Sequence, residues 1–192
     1  GERRQDYFRD ELKELLLLAR ETGIDPLSIK GSYAGAVGLP QFMPSSYRRY
    51  AVDYDGDGAI DLSGSPADAI GSIASYMKAF GWVPGEVPTA PVRLAPGSEA
   101  ELVSGLERVH DASEVQIKGV VFSGRDPPAG FVSIFELPTP GKPSKFVAGF
   151  NNFEVVTRYN RSTFYASAVL ELADAIQKAH SQVQLASSIA GP

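Results

Sequence analysis

The sequence predicts an α+β protein that consists of a helical body and a small β-rich inserted lobe. Apolar residues recur at helical spacing in both the first and the last part of the chain. In between, at 83–150, most of the 14 prolines occur, together with short runs of β-branched and aromatic residues. A third observation is the alternation of aspartate and glycine at 53–61, which is typical of a metal-binding loop.

These observations divide the chain into four parts. Residues 1–82 are predicted to form the first helical part, which includes the metal loop at 53–68. Residues 83–150 form the inserted lobe, and 151–180 return to the helical body. The last part, 181–192, is rich in Ser, Ala and Gly and is predicted to be a flexible tail.

The composition excludes several classes of protein. The net charge of −5 and the scattered Lys and Arg residues argue against a nucleic-acid partner. The absence of cysteine excludes disulfides, Cys-ligated zinc and thiol nucleophiles. No apolar run is long enough to span a bilayer. The chain starts without methionine, so we expect a mature form or a fragment from which a targeting segment has been lost.

The first helix is predicted over 3–22, with an apolar face toward the core. Gly23 is expected to end it, and Asp25-Pro26 to start a short turn. The apolar face consists of Phe8, Leu12, Leu15, Leu16 and Ala19.

The next segment, 31–47, begins with the small-residue run Gly-Ser-Tyr-Ala-Gly-Ala-Val-Gly. This run lacks the Gly-Lys-Ser/Thr ending of a phosphate-binding loop, so it predicts close backbone approach instead. Two prolines then bracket Gln41 and Phe42, and a short helix is expected to run to Ala51, with Ser45 or Ser46 near its start.

The aspartate stretch follows most of the template of an EF-hand-like metal loop. Carboxylates recur at positions one, three and five, glycine occupies position six, and position seven offers its carbonyl. Position twelve is Gly64, so the match is incomplete, and Asp68 is the best candidate for the missing ligand. The predicted ligands are Asp53, Asp55, Asp57, Ala59, Asp61 and Asp68. Calcium is favoured because every donor is an oxygen, while the alternative is a solvated Asp/Gly turn.

A helix is predicted to begin after Ser65, with Pro66 in its first turn and Asp68 in a capping position. Asp68 therefore has a structural interpretation as well as a metal-binding one. The predicted apolar stripe consists of Ile70, Ile73, Ala74, Met77 and Phe80.

The inserted lobe is predicted to contain strands at 115–122, 130–136 and 145–150, and one or two helical turns at 99–106. His110 is interpreted as a surface or loop residue rather than a ligand, because no second His or Cys lies near it in the sequence. A closing amphipathic helix is predicted from Ser162, as its N-cap, to about His180.

Several of these motifs resemble one known family. Four motifs are similar to the signature of the lytic murein transglycosylase B family, which cleaves bacterial peptidoglycan. They are the run at 31–38, the Pro-Gln-Phe-Met-Pro-Ser-Ser-Tyr run at 40–47, the Asp-Gly-Asp-Gly loop and Thr-Arg-Tyr-Asn at 157–160. The likeness covers about half of the chain and implies a lysozyme-like helical body. It also implies a structural calcium ion in the loop.

The resemblance implies a specific chemistry. In this family a glutamic acid protonates the glycosidic oxygen between N-acetylmuramic acid and N-acetylglucosamine, then removes the proton of the muramyl 6-hydroxyl, which yields a 1,6-anhydro product. That glutamate precedes the segment that matches Arg3 and Arg4. We therefore expect the catalytic acid upstream of Gly1 and no activity from this chain alone.

The resemblance also assigns roles to individual residues. Supporting residues of the reaction would be Ser32, as a partner of the missing acid, and Gln41, Tyr159, Asn160 and Tyr165 around the sugar. Glycan-binding residues would be Arg3, Arg4, Tyr7, Phe42 and Met43. Without the resemblance, Tyr7 and the two arginines would be read as surface residues, and Tyr159 and Tyr165 as core aromatics.

The implied partners are peptidoglycan strands and possible other cell-wall enzymes, with no organic cofactor. The implied location is the periplasm, with or without an outer-membrane anchor. A non-catalytic, calcium-stabilised peptidoglycan-binding module is the alternative to an enzyme.

Overall fold

The computed structural model describes residues 2–124 and 127–189, with backbone alone at 2, 3, 100 and 185–189. The chain divides into two compact units, Gly1–Phe80 and Gly81–Pro192. The first is helical and the second contains a five-stranded sheet with helices. The predicted α+β class is confirmed. The finer partition at 82, 150 and 180 stays a prediction.

The first unit contains the predicted helices with nearly the predicted bounds. These are α1 (Glu2–Thr22), a 3-10 turn (Pro26–Ser28), α2 (Pro44–Tyr50) and α3 (Pro66–Ala79). Gly23 follows α1 with a φ of +71°, which suits a helix end. Asp25 accepts a hydrogen bond from the Leu27 amide and starts the turn. Ser65 caps α3 by accepting from the Asp68 amide, as predicted.

The buried faces of α1 and α3 differ from the predicted apolar stripes. In α1, Leu12 and Leu16 are exposed, whereas Leu18 and Ala19 are buried. The prediction for α3 is wrong in the same way, since Ile70 is 66% exposed. Its buried residues are Asp68, Ala69, Gly71, Ser72 and Tyr76.

Small side chains explain the buried face of α3, because the backbone approaches a neighbouring loop closely there. A Cβ atom at Gly71 would lie 2.5 Å from the ring of Tyr54. The Ser72 hydroxyl accepts a hydrogen bond of 2.9 Å from the Val52 amide. Hydrophobic periodicity ranks residues by apolarity, so it cannot identify a face selected for small size.

Aromatic rings form much of the core of the first unit. Phe42 is 2% exposed and its ring centroid lies 5.7 Å from that of Tyr76. Tyr50 and Phe80 pack on Tyr76 at 5.1 Å and 4.6 Å. This cluster joins α2 and α3 to the segment that carries Gln41.

The second unit is built on an antiparallel sheet with the strand order β2-β4-β5-β1-β3. The strands are β1 (Thr89–Arg93), β2 (His110–Asp111), β3 (Val121–Phe122), β4 (Phe131–Thr139) and β5 (Lys142–Gly149). The central pair, β4 and β5, aligns Ile134 with Ala148, and both residues are fully buried. The predicted strands at 130–136 and 145–150 are confirmed.

The prediction for 115–122 is wrong over most of its length. This segment contains the end of a helix, α5 (Ala112–Ile117), and only the two-residue strand β3. Asp111 accepts a hydrogen bond of 2.9 Å from the Ser113 amide and caps α5, while Gly119 lies just beyond the helix with a φ of +89°. These end signals outweigh the β-branched composition between them.

Two short strands, β1 and β2, were missed. Pro91 lies inside β1, where its carbonyl accepts from the Ser123 amide. A proline usually argues against a paired strand, because it lacks an N–H group. His110 lies in β2 opposite Val132 and is half-buried, so its interpretation as a surface or loop residue is wrong.

Three further helices complete the second unit: the single turn α4 (Glu99–Leu102), α6 (Asn151–Tyr159) and α7 (Thr163–Ile189). Helix α7 continues past the predicted end near His180. Residues 190–192 lie outside the described residues, and flexibility of the tail stays a prediction. Ser162 accepts from the Tyr165 amide at the start of α7, as predicted.

Helix α6 is held by an aromatic stack and a buried amide. The rings of Phe135 and Phe153 stack with centroids 4.5 Å apart. The side chain of Asn152 accepts a hydrogen bond from the Val83 amide and donates to the carbonyls of Val83 and Glu86. These contacts fix α6 on the sheet and on the first residues of the unit.

Candidate functional site

The aspartate loop brings three of the predicted metal ligands together. One carboxylate oxygen from each of Asp53, Asp55 and Asp57 lies within 4.8 Å of the others. The two oxygens of Asp53 accept hydrogen bonds from the amides of Gly56 (2.7 Å) and Gly58 (2.9 Å). The loop therefore bends around its own first residue and gathers three anionic groups, which suits a hard cation.

The other predicted carboxylate ligands occupy different positions. Asp68 is buried, and its two oxygens accept hydrogen bonds of 2.8 Å and 2.9 Å from the amides of Tyr54 and Asp61. The hydrogen bond from the Asp61 amide makes the largest contribution to lowering the pKa of Asp68, and the bond from the Tyr54 amide adds to it. Asp61 itself accepts from the amides of Ser63 and Gly64. Asp61 and Asp68 thus brace the two sides of the loop, and their role as ligands, like that of the Ala59 carbonyl, stays a prediction.

The end of this loop is joined to the segment that contains Gln41. The Leu39 amide donates a hydrogen bond of 2.7 Å to the Leu62 carbonyl. Between them the backbone is so close that a Cβ at Gly38 would lie 2.6 Å from the Leu62 oxygen. The Tyr47 hydroxyl also donates to the Ile60 carbonyl. The metal loop and the Gln41 segment are therefore one connected structure.

Gln41 has an unusual backbone conformation. Its φ is +54°, the only positive value for a non-glycine residue in 2–124 and 127–189. Both its amide and its side-chain nitrogen donate to the Gly38 carbonyl, at 3.1 Å and 2.9 Å. Left-handed backbone at an exposed, non-glycine position costs free energy and often occurs at functional sites.

Ser32 shapes the preceding turn. Its hydroxyl accepts a hydrogen bond of 3.1 Å from the Ala36 amide, and its own amide donates to the Ala36 carbonyl. Met43 is half-buried at the start of α2. Phe42 is 2% exposed and belongs to the core of the first unit, and its glycan contact stays a prediction.

The structure reveals a buried carboxylate that the sequence analysis did not select. Glu11 is 8% exposed, and its two oxygens accept from the amide and the hydroxyl of Ser45, at 3.0 Å and 2.7 Å. Because Met43 makes no side-chain cap, Glu11 serves the first turn of α2 instead. The sequence does contain a signal for this burial. Glu11 lies one helical turn before Leu15 and two turns before Leu18, so the three residues share one face of α1.

Of the predicted glycan-binding residues of α1, Tyr7 lies next to this carboxylate. Burial raises the pKa of Tyr7, and the adjacent Glu11 raises it further. The guanidinium of Arg4 lies 5.9 Å from the ring centroid of Phe8. The side chain of Arg3 lies outside the described residues.

The remaining predicted site residues belong to the second unit. Tyr159 is half-buried at the end of α6, and Asn160 follows it as an exposed C-cap residue with extended backbone. Tyr165 is half-buried in the first turn of α7. The three side chains therefore lie within a few residues of one another in the chain, on both sides of the connection between α6 and α7.

Comparison with known proteins identifies the family. Residues 1–174 match the family model described as the transglycosylase SLT domain. The chain belongs to this transglycosylase family. Membrane-bound lytic murein transglycosylase B of Escherichia coli (strain K12), a curated relative, is 43% identical over 183 residues, which make up 94% of this chain and 48% of that protein. The chain thus spans about half the length of this relative.

Solved structures of transglycosylases share the fold. Soluble lytic transglycosylase SltB1 from Pseudomonas aeruginosa matches with a TM-score of 0.86 and 47% identity, over 93% of this chain and 59% of that one. Slt35 from Escherichia coli, solved in complex with calcium, matches with 0.83 and 42%, over 93% and 56%. SltB3 from Pseudomonas aeruginosa, in complex with NAG-anhNAM-pentapeptide, matches with 0.74 and 35%, over 88% and 45%.

These transglycosylase relatives confirm the predicted family. Among the described residues, none of the helices combines the length and apolarity that a membrane span requires.

Proposed function

We propose that this protein acts as a lytic transglycosylase on bacterial peptidoglycan, cleaving the β-1,4 bond between N-acetylmuramic acid and N-acetylglucosamine with formation of a 1,6-anhydro-muramyl product. The observation that carries the proposal is the match of 1–174 to the transglycosylase family. The relatives are named as murein or lytic transglycosylases, and one was solved with an anhydro-muramyl ligand.

Two exposed amide side chains are each proposed to contact the glycan. Gln41 is exposed in a strained backbone conformation, and Asn160 is exposed between two helices. Amide side chains both donate and accept, so they suit the hydroxyl and acetamido groups of a sugar. Tyr159 and Tyr165 are proposed to offer ring faces to its C–H surfaces.

Further contacts are proposed from the first unit. Ser32 would orient the catalytic acid, and Arg3, Arg4, Tyr7 and Met43 would bind the glycan or its peptide-bearing muramyl unit.

Three glutamates of α1, at 11, 14 and 21, do not suit the role of the catalytic acid. A general acid needs a raised pKa and a proton to donate. Hydrogen bonding to Arg48 lowers the pKa of Glu21, and Glu14 pairs with the same arginine. Both carboxylate oxygens of Glu11 accept hydrogen bonds from Ser45. We therefore propose that the acid is supplied by a glutamate outside these positions, as the family resemblance implies.

A calcium ion is proposed for the aspartate loop. The donor set fits, because Asp53, Asp55 and Asp57 offer carboxylate oxygens and the Ala59 carbonyl follows in sequence. When bound, the ion would offset two of the three adjacent negative charges. Since the Leu62 carbonyl holds the Leu39 amide, a rigid loop would also stabilise the Gln41 segment.

The partners and the location follow from the same proposal. Peptidoglycan strands are the proposed partners, with other cell-wall enzymes as possible associates. The proposed location is the periplasm, with or without anchoring to the outer membrane.

The proposal is tested by digesting purified peptidoglycan sacculi with the protein as its gene encodes it and analysing the released muropeptides by mass spectrometry. Anhydro-muramyl ends are the expected result. Reducing ends would mean hydrolysis and would contradict the proposed chemistry. Binding to sacculi without any release would favour the alternative, a calcium-stabilised peptidoglycan-binding module.

A further inference from the structure

A second charged site lies in the sheet-containing unit. A cavity of about 510 Å³ is lined by residues from the loop before β2, from β4, from α6 and from the α6–α7 connection. Its charged residues are Glu107, Arg108, Glu154, Arg158 and Arg161. The volume lies within the range of small-ligand sites, about 300–1,000 Å³.

Glu154 organises the arginines of this cavity. It accepts a hydrogen bond of 2.5 Å from Nε of Arg108 and one of 2.7 Å from Arg158. Partial burial raises the pKa of Glu154, but the bonds to Arg108 and Arg158 outweigh this effect and lower it, so the carboxylate stays ionised at neutral pH. An arginine carries five N–H donors, so the bond from Arg108 to Glu154 leaves most of its donors for another acceptor.

Arg161 adds a positive charge that this carboxylate does not balance. Within 2–124 and 127–189, no ion pair of Arg161 is found, and its side chain is exposed at the cavity. The five charged side chains sum to +1, since three arginines oppose two glutamates. A monoanionic group therefore balances the cavity, and carboxylates fit the planar guanidinium fork.

The uncharged part of the cavity favours a ligand with an apolar chain. Phe131 is 59% exposed and, with Leu106, forms the apolar wall. A small inorganic anion would leave this wall in water, whereas a peptide can place a methyl or methylene group on it while its carboxylate reaches the arginines.

The position of the cavity connects it to the proposed glycan site of the same unit. Arg158 and Arg161 flank Tyr159 and Asn160 in the chain. Peptidoglycan carries its peptides on the muramyl unit, so a peptide attached to a sugar at Asn160 would start beside these arginines.

We propose that this cavity binds a carboxylate of the peptidoglycan stem peptide, with Arg108 and Arg161 as the ligand-binding residues and Glu154 as the residue that positions Arg108. This inference rests on the proposed function, because it takes peptidoglycan as the substrate. It adds a peptide subsite in the second unit to the sugar contacts named above.

The test is a binding titration of the whole chain with three probes: a GlcNAc–MurNAc disaccharide with a tetrapeptide, the same disaccharide without peptide, and the free tetrapeptide. For the wild type, the peptide should tighten binding of the disaccharide about tenfold, the worth of one charge-assisted hydrogen bond. Arg161→Ala should remove most of this gain and leave the peptide-free disaccharide unaffected.

Two further variants complete the design. Arg93→Ala removes an exposed arginine of the same unit that does not line this cavity, and it should bind all three probes as the wild type does. Glu154→Gln should weaken binding of the peptide-bearing probe, because Arg108 is then held less firmly. The melting temperature of this variant is measured separately.

The outcomes separate the two proposals. If the disaccharide binds equally well with and without peptide, the peptide subsite is wrong and the proposed function is untouched. A second outcome is that the tetrapeptide binds in an Arg161-dependent way, while the peptide-free disaccharide does not bind and no muropeptide is released from sacculi. In that case the peptide subsite stands and the proposed function fails. Equal competition by inorganic phosphate at the same concentration would show a general anion site and overturn the inference.

Discussion

Glu11 and Ser45 are 34 residues apart in the chain and are joined by two hydrogen bonds, from the Ser45 amide at 3.0 Å and from its hydroxyl at 2.7 Å. The carboxylate is nearly buried, and it satisfies the start of a helix that has no cap of its own. This pair ties α1 to the Gln41 segment, so the stability of the first unit depends on a glutamate that takes no proposed part in the reaction.

Removal of this carboxylate should destabilise the first unit. Glu11→Ala leaves the amide and the hydroxyl of Ser45 without their partner, which typically costs about 1–3 kcal/mol. Glu11→Gln keeps one acceptor oxygen and should cost less. Urea unfolding followed by circular dichroism measures the difference. Asp10→Asn, at an exposed position of the same helix, is the control and should change stability by less than about 0.5 kcal/mol. If Glu11→Ala were as stable as the control Asp10→Asn, the Glu11–Ser45 bonds would contribute nothing to the stability.

Gly71→Ala should destabilise the protein, although alanine is normally the better helix former by about 1 kcal/mol. The added Cβ would lie 2.5 Å from the Tyr54 ring, so the loop or α3 must move, at a typical cost of about 1–3 kcal/mol. Thermal unfolding gives the sign directly. Ala74→Gly, at an exposed position in α3, calibrates the propensity effect. A rise in melting temperature for Gly71→Ala would mean that the close approach is absent in solution.

Calcium should raise the melting temperature, and a chelator should lower it. A ligand that binds only the folded state stabilises it by about 2.7 kcal/mol at a hundredfold excess over its dissociation constant. Asp53→Asn and Asp57→Asn should reduce this shift, because both residues belong to the clustered carboxylates. Asp174→Asn, in α7, is the control and should retain it. If the chelator leaves the wild-type melting temperature unchanged, the loop does not hold the ion.

Asp68 should make the stability of the first unit depend on pH. Backbone hydrogen bonds lower its pKa in the folded state below the unfolded value of about 3.9. Its contribution is therefore fully present above pH 4 and is lost as the pH falls through the lower folded pKa. Asp68→Asn should lower the melting temperature at pH 6, and the gap to the wild type should narrow toward pH 3. Both proteins are measured with chelator present, so that metal binding does not contribute. A gap that stays constant across this range would refute the role of the charge.

Gln41→Gly should separate backbone strain from ligand contact. Glycine adopts a φ of +54° without a steric penalty, so the variant should be as stable as the wild type, or more stable, by up to about 1 kcal/mol. Binding to the peptide-free disaccharide should weaken, because the amide side chain is gone. Gln41→Ala, which keeps the strain and lacks the amide, should show the same loss of binding. Undiminished binding of both variants would remove Gln41 from the proposed glycan site.

Local patterns explain which parts of the structure the sequence predicts well. The cap at Ser65, the glycine after α1 and the three clustered aspartates each depend on residues within one or two turns of each other. The motif at 31–47 predicts the family for the same reason. In each case the chemistry of the segment decides its conformation before tertiary packing contributes.

Long-range contacts account for the parts that the sequence does not predict. The partner of Glu11 lies far along the chain, and the arginines of the second charged cavity come from separate elements. The motif at 31–47 likewise does not reveal that the ring of Phe42 packs in the core of the first unit. The exposure of Ile70 likewise depends on the loop that packs on the opposite face of α3.

The side chain of Asn152 has a consequence for dividing this protein into fragments. It bridges 69 residues of sequence to satisfy the Val83 amide, at the very beginning of the second unit. A fragment that stops after the last strand would retain every residue of the sheet but would leave that amide and two neighbouring carbonyls without their partner. The sheet and α6 should therefore be expressed together, since the Val83 amide, at the start of the second unit, has its hydrogen-bond partner in α6.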